Sequence, residues 1–382
     1  MIRFLTAGES HGPALATIVE GTPAGLPLDA DGLADELARR RLGHGRGPRM
    51  RLEKDEIEIL GGVRFGRTLG GPISVIIRNT EWERWSEEMS PEEGTSRRAM
   101  TSPRPGHADL PGMLKYQTHD ARDILERASA RETAARTVVG YISKLLLAEV
   151  GVTIVSHVVQ IGAVRSNAGP PGPGDLAAID ASPVRCGDDT SETAMVQAID
   201  AAKKERDTLG GVVEVIAYDV PAGIGSHVHW DRRLDTTLAA GLMSIQGIKG
   251  VEVGDGFESA ARPGSAAHDE IYPGSAAFGR ETNRAGGIEG GISNGSMIRV
   301  RAAMKPISTL MRPLATVDVT TGEVSVAFRE RSDVCAVPAA GVVAEQMVAF
   351  TLAREMQRVY GGDNVEAFVE ADVAHRRRLS SF

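Results

Sequence analysis

Cysteine is nearly absent. The 382 residues hold two, Cys186 and Cys335, far apart and outside any Cys-x-x-Cys pair, which excludes a disulfide framework and a cysteine-built zinc site and fits a reducing compartment. Long apolar runs are also missing: nowhere do about 18 apolar residues follow one another, so no membrane span is expected. The opening MIRFLTAGE carries no extended apolar stretch of the secretory kind, and the expected location is the cytoplasm. Basic charge is not in excess. Lys and Arg number 43 against 51 Asp and Glu, a net charge of −8, which argues against a general nucleic-acid or membrane-surface binder. The phosphate-loop pattern G-x-x-x-x-G-K-[ST] does not occur. Gly43-x-Gly45-x-Gly47 follows a helical pattern rather than a strand and is no dinucleotide fingerprint.

Glycine, by contrast, is abundant, with 44 residues marking tight turns between short strands. With 42% hydrophobic and 25% charged residues the chain can bury a large core as one large or two medium domains. Helical periodicity covers 29–41, with Asp29 or Asp31 as N-cap and Leu33 and Leu37 four apart. The longest helix is expected over 120–150, with Val138, Ile142, Leu145, Leu146 and Val150 on one face. Further helices are expected over 191–208, 231–244 and 338–360, and strands over 14–19, 57–63, 72–79, 152–164, 211–220, 296–304 and 323–328. RTLGGPISVIIRN from position 67 and DTLGGVVEVIAYD from position 207 share Thr-Leu-Gly-Gly before a β-branched run, which an internal duplication or a common turn explains. Residues 81–104 form a long, charged, unpatterned loop of the kind that is functional or mobile.

Candidate chemistry concentrates in loops. TAGESHGPALATIVEGTP (6–23) places His11 in a polar turn before an apolar strand, where a histidine is either a solvent-facing loop residue or a catalytic one. ARRRLGHGRGPRM (38–50) sets Arg46 and Arg49 among glycines that let guanidinium forks converge on one anion, while Arg39 and Arg41 read as a solvated helix end. SPRPGHADL (102–110) repeats the pairing, with Arg104 three residues before His107 in a Pro-Gly turn. A histidine there can protonate a leaving oxyanion, because a bound anion favours its charged form. LERASARET (125–133) adds Arg127, Ser129 and Arg131, KPISTL (305–310) a lysine and two hydroxyls, and RSDVC (331–335) Arg331 and Asp333. So many arginines in the loops of a net acidic chain favour a site for a polyanionic small molecule. SHVHW (226–230) offers a His-x-His pair without an evident carboxylate or cysteine partner, which favours a structural role.

GESHGPALATIVEGTP, ERASARETAARTVVGYI and RSDVCAVPAAGVVAEQM, with GHGRGPRM, RPGHADL and KPIST in the same order, resemble the chorismate synthase family from the first residues to the last long helix. The resemblance implies an α+β fold: a β-α-β sandwich with helices between antiparallel sheets and an internal pseudo-twofold. It implies one catalytic domain over 1–382, with repeat halves near 1–150 and 151–360 and a C-terminal tail over 361–382, assembled as a homotetramer. The implied activity is a lyase that converts 5-enolpyruvylshikimate-3-phosphate to chorismate and phosphate by anti 1,4-elimination, dependent on reduced FMN without net redox change. By motif position, Arg40, Arg46, Arg49, Arg104, Arg131 and Arg331 would bind the substrate's anionic groups. His107 would protonate the departing phosphate and His11 would protonate or hydrogen-bond the reduced flavin. Asp333 would assist removal of the ring proton, with Ser10 and Ser129 as proton relays. Flavin would be held by Arg127, Ala128, Ser129, Gln246, Gly247, Gly290, Lys305, Pro306, Ile307, Ser308, Thr309 and Arg331. NADPH would enter only as an indirect reductant, and an external flavin reductase is the expected partner; His44 is given no role.

A different class stays open on the residues alone: a non-catalytic anion- or nucleic-acid-binding module, suggested by Arg39–Arg41 and by HRRR at 375–378. Such a module would bind with steep salt dependence and be indifferent to flavin redox state.

Overall fold

The computed structural model describes residues 1–47, 55–273, 278–330 and 332–382, so Arg49 and Arg331 lie outside the described residues. Alternation of apolar and polar residues makes the first sheet. β1 (Arg3–Ala7), β2 (Ala14–Glu20), β3 (Ile57–Gly61) and β4 (Ile73–Arg78) pair antiparallel in the order β1-β2-β4-β3. Leu15, Thr17 and Val19 of β2 and Ile73, Val75 and Ile77 of β4 point to the core, while Ile18 faces out. β5 (Thr153–Ile161), β6 (Val164–Arg165), β7 (Gly211–Tyr218), β8 (Ile248–Val253) and β9 (Ile298–Met304) form the second sheet in the order β8-β9-β7-β5-β6. β5 and β7 are buried on both faces, as the unbroken runs at 154–158 and 213–217 show.

Helices fill the space between. α1 (Ala30–Arg41) is capped by Asp29, whose carboxylate accepts from the Gly32 N–H at 2.6 Å. α4 (Thr133–Ala148) rests on β2 and β4, and α7 (Val337–Tyr360) rests on β5 and β7; the two helices pack on each other. Their approach is close enough that a methyl group on Gly140 would collide with Gln346. α7 is apolar on nearly every side because it has α1, α4, α6 (Leu234–Met243) and the second sheet around it.

The expected single helix over 120–150 is two. α3 (Arg122–Ala128) ends at Ser129, which is extended, and a 3₁₀ turn (Ala130–Glu132) leads into α4. Tertiary bonds make the break: the Glu126 carbonyl accepts from the Ser10 N–H at 3.0 Å instead of continuing the helix, and the Ser129 hydroxyl accepts from the Arg131 N–H at 3.2 Å. Residues 361–382, expected as a tail, contain α8 (Val365–Ser380), capped by Asn364 and docked through buried Phe368. α8 also ties down the basic run, because His375 bonds the Ala222 carbonyl and Arg376 bonds Asp372 and the Val150 and Asp219 carbonyls.

Both Thr-Leu-Gly-Gly prefaces lead into an interior strand, and the inward residues fall in step: Ile73, Val75 and Ile77 against Val213, Val215 and Ala217. The turns themselves differ. Gly70 has φ +82°, whereas Gly210 has no positive φ and is glycine because a methyl group would strike the Met304 carbonyl.

Candidate functional site

The break at Ser129 opens one wall of a cleft of about 510 Å³. The first turns of α7 supply Ala336, Ala339, Ala340 and Val343, a low apolar surface of small side chains. Around it stand the turn holding Ser10 and His11, the loop of Gly106 and His107, Gln246 and Gly247 ahead of β8, and residues 304–309 at the end of β9. The loops expected to carry chemistry therefore converge on one volume from distant parts of the chain.

His11 is held from its edge. Its Nδ1 lies 2.9 Å and 3.0 Å from the two carboxylate oxygens of Glu126, and its backbone N–H donates to the same carboxylate at 2.9 Å. Arg122 donates to Glu126 as well, at 2.7 Å. Burial opposes ionisation of Glu126, but His11 and Arg122 outweigh it and hold the carboxyl below its usual range. The solvent-facing alternative for His11 is excluded by its 8% exposure.

His107 is built the same way from different residues. Its Nδ1 bonds the Asp109 carboxylate, which starts α2 (Asp109–Tyr116) and is fully buried. Arg104 forks onto the same carboxylate at 2.8 Å and 3.1 Å and reaches the Thr309 hydroxyl at 2.8 Å, with its guanidinium over the Phe328 ring. Burial would raise the Asp109 carboxyl, yet His107 and Arg104 bring it down to about 2. Beside this group Lys305 Nζ donates to the Gly106 carbonyl and to Ser308 Oγ; burial, with Lys249 nearby, pushes its ammonium below the ordinary lysine value.

Three arginines of the cleft are held by buried or half-buried acids. Arg40 and Arg131 both flank Asp55, a buried carboxylate that the two guanidinium groups hold ionised against the opposing effect of burial. Arg131 Nε donates to Asn79 at 3.0 Å. Arg46 pairs with Asp333 at 2.6 Å, and the Gly47 N–H donates to the same Asp333 at 2.6 Å. Arg39 departs from the expected solvated helix end. With Lys144 it surrounds Glu345, which is fully buried on α7, and it also reaches Glu36 and Asp180.

Of the expected site residues within the described chain, Ser10, His11, Arg40, Arg46, Arg104, His107, Ala128, Ser129, Arg131, Gln246, Gly247, Lys305, Pro306, Ile307, Ser308, Thr309 and Asp333 line this cleft. Arg127 and Gly290 do not. Arg127 turns outward to the Thr6 and Gly8 carbonyls, and Gly290 sits in the turn of a hairpin (Ile288–Glu289 with Ile292–Ser293). Sequence reasoning missed Glu126, Asp109 and Asp55. Asp109 had a signal, two residues after His107, whereas Glu126 is 115 positions from His11 and had none. His44 bonds Asp200, on α5 (Asp189–Glu205), away from the cleft wall, and His229 does have a carboxylate neighbour, Asp231 at 2.7 Å. Among the described residues no group of His, Cys, Asp and Glu suits a metal ion, and no helix is long and apolar enough to cross a membrane.

The donor set suits a planar heteroaromatic ring with polar edges beside an anionic partner. The alanines of α7 leave room that larger side chains would fill, Lys305, Ser308 and Thr309 supply donors, and the buried Gln246 Oε1 has no hydrogen-bond donor among the described residues.

Comparison with known proteins agrees. The family model for chorismate synthase matches residues 2–357. Chorismate synthase of Frankia casuarinae is 59% identical over 378 residues, covering 96% of this chain and 96% of its own. That of Acidothermus cellulolyticus is 58% identical over 392 aligned positions, covering 100% and 98%. A solved structure described as the crystal structure of chorismate synthase matches with a TM-score of 0.80 and 41% identity, over 100% of this chain and 99% of that one.

Proposed function

The chain belongs to the chorismate synthase family, a family of lyases, and on that premise we propose that the cleft releases phosphate from 5-enolpyruvylshikimate-3-phosphate with its two histidines in separate proton roles. One observation carries this reading: two histidines share a cleft, each with Nδ1 fixed by a buried carboxylate, among arginines suited to one phosphate and two carboxylates. His107 carries the proton for the departing phosphate on Nε2, since Nδ1 is committed to Asp109. Arg104 beside it steadies the charge that develops on the bridging oxygen. Arg40, Arg46 and Arg131 bind the substrate's other anionic groups, and Arg49 and Arg331 are assigned there by motif alone. Asp333, oriented by Arg46 and the Gly47 N–H, assists removal of the ring proton, and Ser10 and Ser129 relay protons.

Reduced FMN is the proposed cofactor, and when bound it would lend an electron that is returned within the same turnover, so that the C–O and C–H bonds break without net redox change. Lys305, Ser308 and Thr309 would hold its polar edges, the α7 alanines its face, and His11 its reduced form by hydrogen bond or proton transfer. The same reading assigns one catalytic domain with two repeat halves, a homotetramer in the cytoplasm and an external flavin reductase, with NADPH only as indirect reductant. A binding module finds no support, because Arg39, His375 and Arg376 serve internal contacts. Anaerobic phosphate release from enolpyruvylshikimate phosphate tests the reading. Release is expected with reduced FMN and none with oxidised FMN; equal rates under both overturn it.

A further inference from the structure

Trp85 has no part in the chemistry above, yet it touches the residue at its centre. It lies in a single helical turn (Trp82–Trp85) at the start of the long charged segment that follows β4. That turn is pinned to the end of the strand, where the Trp82 N–H donates to the Asn79 carbonyl at 3.2 Å. The indole lies 4.2 Å from the His11 ring, centroid to centroid, tilted by 32°. The Arg122 guanidinium sits 4.8 Å from the same indole. Glu126 closes the group, bonding both His11 and Arg122.

We propose that Trp85 is a positioning residue for His11, its indole holding the imidazole by the face while Glu126 holds it by the edge. A carboxylate on Nδ1 fixes where that nitrogen lies but leaves the ring able to pivot about the hydrogen bond, since such bonds tolerate wide angles. A stacked aromatic plane removes that freedom and covers the ring against water. Arg122 has the matching role for the indole, because a guanidinium bound to Glu126 and lying over the ring fixes where the indole can sit. The segment after β4 thereby sets the orientation of a histidine that precedes β2, two elements joined through the β2–β4 pairing. The inference rests on the catalytic role assigned to His11.

Trp85→Phe and Trp85→Ala test it. The phenylalanine variant keeps an aromatic face and is expected to retain turnover close to that of the parent chain. Removing the face is expected to lower kcat by roughly 10- to 100-fold, the usual cost of a misplaced catalytic group, with KM for substrate changed little. A second readout does not depend on turnover: carbethoxylation of His11 by diethylpyrocarbonate, followed by peptide mass spectrometry with His107 as internal reference. His11 is expected to react faster in Trp85→Ala and at the parent rate in Trp85→Phe, in protein shown by circular dichroism to be folded. Unchanged kcat and unchanged His11 reactivity in folded Trp85→Ala overturn the proposal, as does a phenylalanine variant as impaired as the alanine variant. Should His11→Ala keep full turnover, the catalytic role fails instead, and the carbethoxylation rates still decide whether Trp85 holds the ring.

Discussion

Asp109→Asn isolates the group that holds His107. The carboxyl is lowered from 3.8 to about 2 in the folded chain, so its ionised form contributes roughly 2 kcal/mol to stability at neutral pH. A depressed carboxyl stabilises above its unfolded value and loses that contribution as pH falls through the folded one, here between about pH 4 and pH 2. Urea unfolding of both proteins across this range is the assay. Other lowered carboxyls, such as Glu126 and Asp55, titrate in both proteins and cancel in the difference. Asparagine at 109 also leaves the buried Arg104 guanidinium with only the more distant Glu330, at 3.7 Å, as counter-ion, which adds to the loss near neutrality. Its amide can present an N–H to His107 Nδ1 and so favour the wrong tautomer, and turnover is expected to fall roughly 100- to 10,000-fold. A stability gap that stays constant from pH 6 to acid, or turnover within a few-fold of the parent, refutes the reasoning.

His107→Ala should lose about 100- to 10,000-fold in turnover while still binding flavin, and a substrate with a better leaving group should rescue it more than His11→Ala; equal rescue would remove the distinction between the histidines. In His11→Ala the defect should follow the flavin, appearing as an altered absorbance spectrum of bound reduced FMN. Glu345→Gln leaves Arg39, Lys144 and Arg185 around a neutral group and should destabilise the fold by about 3 to 5 kcal/mol in urea unfolding, with no change in stoichiometry of flavin binding; a loss under 1 kcal/mol would show the network to be dispensable. Lys305→Met should weaken flavin binding in a fluorescence titration by about tenfold or more, the size of a lost charge-assisted hydrogen bond, and an unchanged affinity would place the flavin's polar edge elsewhere.

The fold was legible where burial imposes a single pattern. α7 and the strands at β2, β4 and β7 carry apolar residues at the spacing their surroundings require, and their limits fall within two or three residues of the sequence pattern. The break at Ser129 was not legible, because Ala-Ser-Ala-Arg-Glu has no helix breaker. The Ser10 N–H that takes the Glu126 carbonyl comes from the far end of the chain. α8 was hidden by Gly361-Gly362 and by its basic run, which suggested an anion-binding segment; its N-cap Asn364 was the readable signal, and Phe368 and Asp372 are buried. β1 escaped because exposed Leu5 beside inward Phe4 interrupts the apolar-polar alternation, and β8 because Gly250 and the register shift between Ile248 and Gly250 interrupt it.

The site divides along the same line. Histidines, lysine and arginines in glycine-rich turns announced themselves, since such turns give them no packing role. Of their carboxylate partners Asp333 was named and Asp109 lies beside His107, but Glu126 and Asp55 gave no sign, because a buried acid looks in sequence like any exposed one. The geometry shows why those acids matter. Each histidine shares its carboxylate with an arginine, Glu126 with Arg122 and Asp109 with Arg104. With a neutral imidazole each group of three carries no net charge, which makes its burial tolerable before any ligand arrives. With a protonated imidazole each carries one positive charge, the state that an arriving phosphate or reduced flavin would balance. The carboxylates therefore orient the rings and share their charge with arginine rather than spending it on the proton. What distinguishes the two histidines must then lie in their other neighbours: Thr309 and Lys305, bonded to Arg104 and Gly106, near His107, and the indole of Trp85 on His11.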